Sequence, residues 1–323
     1  MVFPAQEPIV VACAADDFFS MPLAVTAFSA FKNLDPKRQL ILFVLDGGIS
    51  SANKKKLLQT LNSSRVDLRW IKPTEVQVKT KLLKCKASNY PISAYYRLLL
   101  PAIIPQQFKK VIYLDSDVVV EGDLAKLWDQ DFKGQPLLAV QDPTHKHIAD
   151  VKHLKTRNLE GWGITPDKKY FNSGVLVINL EKWRQQHTAD KVLEFIGQHP
   201  DLPLPDQDAL NIVLAGQWGE LNPRWNQTHV VHNYRSYQDS PYNEKLYQDL
   251  VHHPLIIHYT SRPKPWGKNC THPQADRYFN YLDQTAWSGW RNNAITHNTA
   301  LARRGIRRIR TTTLKLFNQL LPT

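Results

Sequence analysis

The sequence has little of what marks secreted, membrane-spanning and dinucleotide-binding proteins. Among its 323 residues are three cysteines, Cys13, Cys85 and Cys270, which are odd in number and too widely spaced for a zinc site. We therefore expect no disulfide framework and a reducing compartment. No stretch approaches the roughly 18 uninterrupted apolar residues of a membrane span, and the first residues lack the basic leader and long apolar core of a signal peptide. These absences predict a cytoplasmic protein.

Acidic residues are missing from the C-terminal part of the chain. Lys plus Arg number 41 against 29 for Asp plus Glu, and residues 288–323 hold seven of these cations and no acid. Apolar residues over 300–321 fall at helical spacing, so we predict a basic amphipathic tail over 286–323 after one folded domain over 1–285. Such a tail suits the anionic inner face of the plasma membrane. A solvated, partly disordered tail is the alternative, and the lack of regular aromatic interleaving counts against nucleic acid.

Apolar strands alternate with helical patterns in the first part of the chain. Strands are predicted over 8–14, 39–45 and 66–71, with helices over 21–31 and about 50–61. This alternation predicts right-handed βαβ crossovers, and hence an α/β fold with a mostly parallel central sheet flanked by helices. In open sheets of this kind, ligands bind outside the carboxyl ends of the strands. No GxGxxG motif follows the first strand, which argues against a dinucleotide site.

Two carboxylates, Asp115 and Asp117, follow the apolar run 111–114. Because side chains alternate along an extended chain, residues two apart point the same way and can close on one ion. A turn whose carboxylates cap backbone amides is the alternative, but apolar sequence on both sides makes unneutralised charge costly. His258 ends a predicted strand over 254–259. Two carboxylates and an imidazole suit Mn²⁺ or Mg²⁺, with open positions left for phosphate oxygens.

Other polar residues stand at strand ends or inside apolar sequence. Asp16 and Asp17 follow the first strand, where they suit ribose hydroxyls or a base amine, or act as helix N-caps. Arg97 lies in an apolar helix predicted over 93–100 and needs either a structural carboxylate or an anionic ligand as its partner. The structural partner is the more ordinary one.

The later part of the chain contains a long polar segment over 142–170, which a compact domain uses for function or leaves disordered. A polar loop over 73–86 is expected near the site. A helix is predicted over 181–196. The triplet Asp206-Gln207-Asp208 precedes an apolar run, and three polar groups exceed what one N-cap needs.

Six ordered strings resemble glycosyltransferase family 8, the retaining sugar transferases that include bacterial lipopolysaccharide α-galactosyl- and α-glucosyltransferases. They are AADD, FVLDGGIS, YLDSDVVV, FNSGVLVINLEKW, DQDALN and HYTSRPKPW, spread from about residue 9 to residue 266. The resemblance implies a GT-A fold, a UDP-hexose donor carrying galactose or glucose, Mn²⁺, and a saccharide or glycolipid acceptor.

The same resemblance implies roles for individual residues. The implied metal ligands are Asp115, Asp117 and His258; the donor contacts are Asp16, Asp17, Arg97, Asp115, Ser116 and Lys264; the catalytic-site residues are Asn172, Asp206, Gln207 and Asp208. Phe18 and Ser261 depart from the family pattern, which has a uracil-contacting Asn and a Gly close to phosphate. Because the amide of Gln207 is a poor nucleophile, we expect front-side displacement rather than a covalent intermediate on Asp206 or Asp208.

Two other functions fit the same residues. A metal-dependent phosphohydrolase would cleave UDP-sugars without acceleration by any acceptor. A catalytically silent module would bind the nucleotide sugar without turnover, although the intact acidic and His positions argue against that reading.

Overall fold

The computed structural model describes residues 7–73, 92–260 and 263–292. Most of the predicted loop over 73–86, Ser261 and the tail predicted over 300–321 lie outside these residues.

The described residues form two sheets and several helices. The strands are β1 (Ile9–Ala15), β2 (Leu40–Asp46), β3 (Val66–Ile71), β4 (Lys110–Leu114), β5 (Val118–Val120), β6 (Leu137–Gln141), β7 (Phe171–Asn179), β8 (Gly219–Glu220), β9 (Gln227–Thr228) and β10 (Ile256–His258). The helices are α1 (Ser20–Lys32), α2 (Ser51–Thr60), α3 (Leu100–Ile103), α4 (Leu124–Trp128), α5 (Lys152–Lys155), α6 (Leu180–Gln185), α7 (Thr188–Gln198), α8 (Pro205–Val213), α9 (Glu244–His252) and α10 (Ala275–Leu282).

The main sheet has the strand order β3-β2-β1-β4-β7-β6-β8. Four of its neighbouring pairs are parallel, and β7 runs antiparallel to both β4 and β6. Strands β1, β2, β4 and β7 are almost wholly buried. The nearly continuous apolar sequences of β1, β2 and β4 are typical of strands in a sheet that is covered on both faces. The predicted α/β fold with a mostly parallel sheet is confirmed.

A second, smaller sheet positions β10, the last strand among the described residues. Strand β10 pairs antiparallel with β5 and parallel with β9. In this register His258 lies opposite Val118, and Val118 is the residue that follows Asp117. The pairing therefore brings a residue from the C-terminal part of the chain to the carboxyl end of β4.

Buried hydroxyl and amide groups attach α1 to β5. Thr26 Oγ1 donates to the carbonyl of Val118 at 2.8 Å, and Ser29 Oγ accepts from the amide of Val120 at 3.0 Å. Asn33 Nδ2 donates to the carbonyl of Val120 at 2.8 Å. These bonds satisfy backbone groups on the edge of the small sheet, which would otherwise be costly to bury.

Most predicted elements lie within two residues of their observed bounds, but two helices differ. The helix predicted over 181–196 is split into α6 and α7 at His187, whose φ is 54°. At about 100° per residue, a continuous helix would place Trp183 and Val192 on opposite sides. The break lets both bury against the core. The predicted helix around Arg97 is a 3-10 segment, Ile92–Leu99, followed by α3.

The polar segment over 142–170 is folded onto α8 through a small core of its own. This core consists of Ile148, Val151, Leu154, Ile164, Tyr170, Leu202 and Ile212. The segment is thus attached to the body of the protein and ends at Tyr170, directly before β7.

The division between the predicted domain and tail at residue 285 stays a prediction. The described residues after it pack on the body, since Trp287 is buried and Asn292 donates to the carbonyl of Trp266 at 3.0 Å. No helix among the described residues has the length and apolar content that a membrane crossing requires.

The Thr26 bond to β5 gives a stability prediction. Thr26→Val keeps the shape of the side chain but leaves a buried carbonyl of Val118 without this donor, so the free energy of unfolding should fall by about 1–3 kcal/mol. Urea unfolding measures this, with the exposed Thr271→Val as control. Equal unfolding curves for wild type and Thr26→Val would show that the bond contributes nothing.

Candidate active site

Three side chains from two distant parts of the chain meet at the carboxyl end of β4. Asp115, Asp117 and His258 each offer one ligand atom, and these atoms lie within 4.8 Å of one another. His258 Nε2 is 3.3 Å from Asp117 Oδ1 and 3.8 Å from Asp115 Oδ2. The predicted meeting of these three residues is therefore present in the fold.

The tautomer of His258 follows from a chain of bonds that starts at a backbone amide. Gly174 N donates to Asn172 Oδ1 at 3.0 Å, so that oxygen is an acceptor. The same oxygen accepts from Asn226 Nδ2 at 2.9 Å, which turns Asn226 Oδ1 toward His258 Nδ1, 2.8 Å away. Nδ1 must therefore carry a proton and donate it. In neutral His258, Nε2 presents its lone pair to the two carboxylates.

This arrangement fits a divalent cation. The side-chain atom Asp117 Oδ1 is buried and has no hydrogen-bond partner, which is costly unless something positive occupies the space beside it. The neighbouring Nε2 is a second electron donor with no proton in the neutral ring. Carboxylate oxygens with one imidazole are ligands that Mn²⁺ and related ions accept, and a His whose other nitrogen is hydrogen-bonded is the usual metal-binding arrangement.

Lys264 supplies positive charge on the other side of Asp117. Its Nζ lies 2.7 Å from Asp117 Oδ2 and also contacts the carbonyls of Tyr259 and Thr260. Burial opposes ionisation of Asp117, but Lys264, together with His258 when its ring is protonated, holds the pKa of Asp117 well below the usual range. Asp117 is therefore a carboxylate at neutral pH, as a metal ligand must be.

Arg97 lies between Asp115 and Asp206 and pairs with both carboxylates. Its guanidinium donates to Asp115 Oδ1 at 2.8 Å, lies 3.2 Å from Asp206 Oδ2, and donates to the carbonyl and hydroxyl of Ser173. Burial works against its charged form, yet Asp115, Tyr113 and Asp206 raise its pKa. All three nitrogens have protein partners, among them the carboxylates of Asp115 and Asp206, and a contact of Arg97 with the donor stays a prediction.

The other residues of the catalytic set lie beside this network, with different exposure. Asp206 and Asn172 are 4% and 9% exposed, and Asp208 is fully buried. Gln207 Oε1 accepts from the amide of Ser173 at 3.0 Å. For Asp206, burial and Asp115 raise the pKa while Arg97 opposes them.

The polar side chains that follow β1 and β4 form hydrogen bonds within the protein. Asp16 Oδ1 accepts from the amide of Phe19 at 3.0 Å, just before α1. Asp17 Oδ1 accepts from the amide of Ser50 at 2.8 Å, the residue that caps α2. Ser116 Oγ donates to the carbonyl of Ala14 at 2.8 Å, which joins the ends of β1 and β4.

Sequence reasoning missed Asn226 and Gly174. Asn226 is the last residue of a short 3-10 turn, Pro223–Asn226, and only its proximity to His258 reveals a role. Gly174 falls inside one of the family-like strings, and its reason is steric, since a Cβ there would come within 2.7 Å of His258 Nδ1 and 3.0 Å of Asp115 Oδ2. A glycine at this point in β7 is what gives the imidazole its space.

The chain is similar to known proteins both in sequence and in fold. The model of the family described as "Glycosyl transferase family 8" matches residues 10–270. The chain belongs to glycosyl transferase family 8. It is 37% identical over 291 residues to General stress protein A of Bacillus subtilis (strain 168), covering 88% of this chain and 96% of that protein. It is 27% identical to Lipopolysaccharide 1,2-glucosyltransferase of Escherichia coli (strain K12), covering 66% of this chain and 61% of that one.

Solved structures agree with this assignment. The galactosyltransferase LgtC, in complex with donor and acceptor sugar analogs, superposes with a TM-score of 0.67 at 28% identity, covering 86% of this chain and 96% of LgtC. The bifunctional glycosyltransferase WbbM has a TM-score of 0.72 at 21% identity, covering 89% of this chain and 51% of WbbM, and is similar in fold. This family 8 glycosyltransferase therefore has the expected GT-A fold, and Asp115, Asp117 and His258 form its candidate metal site.

Gly174→Ala should remove the metal site while leaving the chain folded. The new methyl group overlaps the His258 ring, so the ring must move out of line with the carboxylates. Binding of Mn²⁺ to the purified protein, followed by electron paramagnetic resonance, should weaken at least about tenfold. The control is Gly197→Ala in α7, where a Cβ meets nothing within 4 Å. Equal Mn²⁺ binding by both variants would contradict this steric reading of Gly174.

Asn226→Leu tests the tautomer argument separately. Leucine has a similar size but cannot accept from His258 Nδ1, so the imidazole loses the bond that fixes its orientation and its tautomer. Mn²⁺ affinity should fall about 10–100-fold, the cost usual for losing such an outer partner. Asn222→Leu, at an exposed N-cap four residues earlier, is the matched control. Unchanged affinity in Asn226→Leu would show that His258 does not need Asn226.

Proposed function

We propose that this protein is a retaining hexosyltransferase that moves galactose or glucose from a UDP-sugar to a saccharide acceptor, with Mn²⁺ as its ion and Mg²⁺ as the alternative. The acceptor belongs to lipopolysaccharide or another cell-surface glycan. The observation that carries the proposal is the convergence of Asp115, Asp117 and His258, with a buried unpartnered oxygen on Asp117.

In this proposal Asp115, Asp117 and His258 hold the ion. When bound, the ion offsets the negative charge that grows on the diphosphate as the glycosidic C–O bond breaks. Lys264, whose Nζ now lies beside Asp117, is close enough to add a second positive charge to the diphosphate. Asp16 and Asp17 lie at the neighbouring strand end, where the nucleoside would sit, and Ser116 holds the two strand ends together.

The burial of the nearby carboxylates favours front-side displacement. A covalent intermediate needs a free nucleophile on the face of the sugar opposite the diphosphate. Asp206 is paired with Arg97 and Asp208 has no exposed surface, while Gln207 offers only an amide. The acceptor oxygen therefore bonds to the anomeric carbon on the face that the diphosphate leaves, and the leaving phosphate oxygen takes the acceptor's proton.

The names of the relatives support the substrate class. The Escherichia coli relative is a lipopolysaccharide 1,2-glucosyltransferase, and LgtC is a galactosyltransferase solved with donor and acceptor sugar analogs. Choice between galactose and glucose depends on the orientation of one hydroxyl, which a few side chains in the pocket decide. The folded segment over 142–170 lies beside the catalytic residues, where it would contact the acceptor.

Release of UDP tests the proposal. Wild type with Mn²⁺ should release UDP from UDP-galactose or UDP-glucose, faster when a suitable saccharide is present. Asp117→Asn should lower kcat/KM about 100-fold or more, because it removes a charged ligand. Asp276→Asn, an exposed acid in α10, is the control. Equal turnover in Asp117→Asn and wild type would remove the metal assignment, and UDP release that no acceptor accelerates would indicate a phosphohydrolase instead.

The basic tail supports a peripheral membrane location on the cytoplasmic side. Deletion of residues 296–323 should abolish co-sedimentation with phosphatidylglycerol vesicles, because most of the tail's cations are lost. Hydrolysis of the donor in solution should persist. A full-length variant with Arg303, Arg304, Arg307 and Arg308 changed to Gln separates charge from length. Vesicle binding that survives both changes would refute the membrane proposal.

A further inference from the structure

We propose that Tyr170, Asp208 and His153 are positioning residues that hold the amide of Gln207 in one orientation at the reaction centre. This inference rests on the proposed function for its kinetic test, and on geometry alone for its structural test. It assigns Asp208 a role behind Gln207 instead of contact with the sugar.

The orientation of the Gln207 amide is fixed from its oxygen side. Oε1 accepts from the backbone amide of Ser173 at 3.0 Å and lies 3.2 Å from the Ser173 hydroxyl. A backbone N–H can only donate, so the atom facing it must be the carbonyl oxygen. The amide nitrogen of Gln207 then faces away from β7.

The nitrogen side is held by Tyr170. Gln207 Nε2 donates to the Tyr170 hydroxyl at 3.2 Å, and that hydroxyl donates to Asp208 Oδ1 at 2.7 Å. Tyr170 is fully buried. Burial, with the charge of Asp208, raises its pKa, so the hydroxyl keeps the proton that it donates. Tyr170 thus links the amide to the carboxylate through one accepted and one donated bond.

Asp208 anchors this series of hydrogen bonds. Its Oδ2 accepts from the amide of Leu204 at 3.2 Å and lies 2.8 Å from His153 Nε2, which must carry a proton to donate. Its side chain is fully buried with both oxygens bonded. A carboxylate held in this way cannot touch a sugar, yet it determines where the Tyr170 hydroxyl points.

His153 connects this series of hydrogen bonds to the surface of the protein. It lies in α5, within the segment over 142–170, and its side chain is 27% exposed. Four side chains therefore run in sequence from that segment to the reaction centre: His153, Asp208, Tyr170 and Gln207. Removal of any outer member takes away the support on the nitrogen side of the Gln207 amide, while the amide itself and its bonds to Ser173 stay in place.

A double-mutant cycle tests the coupling. Tyr170→Phe should lower kcat for sugar transfer about tenfold with little change in the donor KM or in Mn²⁺ affinity. In a Gln207→Ala background the same change should cost less than about twofold, since the amide it positions is gone. The matched control is Tyr278→Phe, which removes a buried hydroxyl that has no partner. An equal loss from Tyr170→Phe in both backgrounds would overturn the proposal.

Two His153 variants separate the hydrogen bond from packing. His153→Gln places an amide nitrogen near the position of Nε2 and should keep kcat within about twofold of wild type, while His153→Phe should lower it as Tyr170→Phe does. Equal kcat in the Gln and Phe variants would contradict a role for the donated bond.

The structural test needs no turnover. The side-chain amide resonance of Gln207, assigned by its loss in Gln207→Glu, should shift in Tyr170→Phe and stay in place in Tyr278→Phe. An unmoved resonance in Tyr170→Phe would overturn the inference. If wild type transferred no sugar, the proposed function would fail. The resonance would still decide whether Tyr170, Asp208 and His153 position Gln207.

Discussion

The site depends on the antiparallel pairing of β5 with β10. Asp115 and Asp117 are fixed by the end of β4, but His258 comes from a strand about 140 residues later, and the register of β10 against Val118 brings its ring to them. A slip of one residue would turn the imidazole to the opposite face of the small sheet. The bonds from Thr26, Ser29 and Asn33 hold β5 against α1, so the register is supported from behind.

Most polar side chains around the candidate metal site have a hydrogen-bond or charge partner within the protein. Arg97 neutralises Asp115 and Asp206 from one side, Lys264 neutralises Asp117 from another, and Asn226 orients His258. What remains is an oxygen of Asp117 and the lone pair of His258 Nε2, both facing the same space. Since buried polar groups in folded proteins are usually satisfied, two such donors facing one space fit a bound cation.

Much of the fold followed from local patterns. Strands such as Leu40–Asp46, a nearly continuous apolar run, and Val66–Ile71, where apolar and polar residues alternate, agree with expectation because such patterns are properties of neighbouring residues. The break at His187 did not follow, because it arises from the need to bury Trp183 and Val192 on the same side. The three metal-site residues could be named from carboxylate spacing, a strand-end His and resemblance. Asn226, Tyr170 and His153 could not, since their roles exist only through contacts between distant segments.

The most direct test is the position of a bound ion. Crystals of the wild-type protein grown with Mn²⁺ and UDP should give one strong anomalous peak within coordination distance of Asp115, Asp117 and His258 Nε2, with His258 Nδ1 still bonded to Asn226. A peak away from His258, or none near the two carboxylates, would contradict the account.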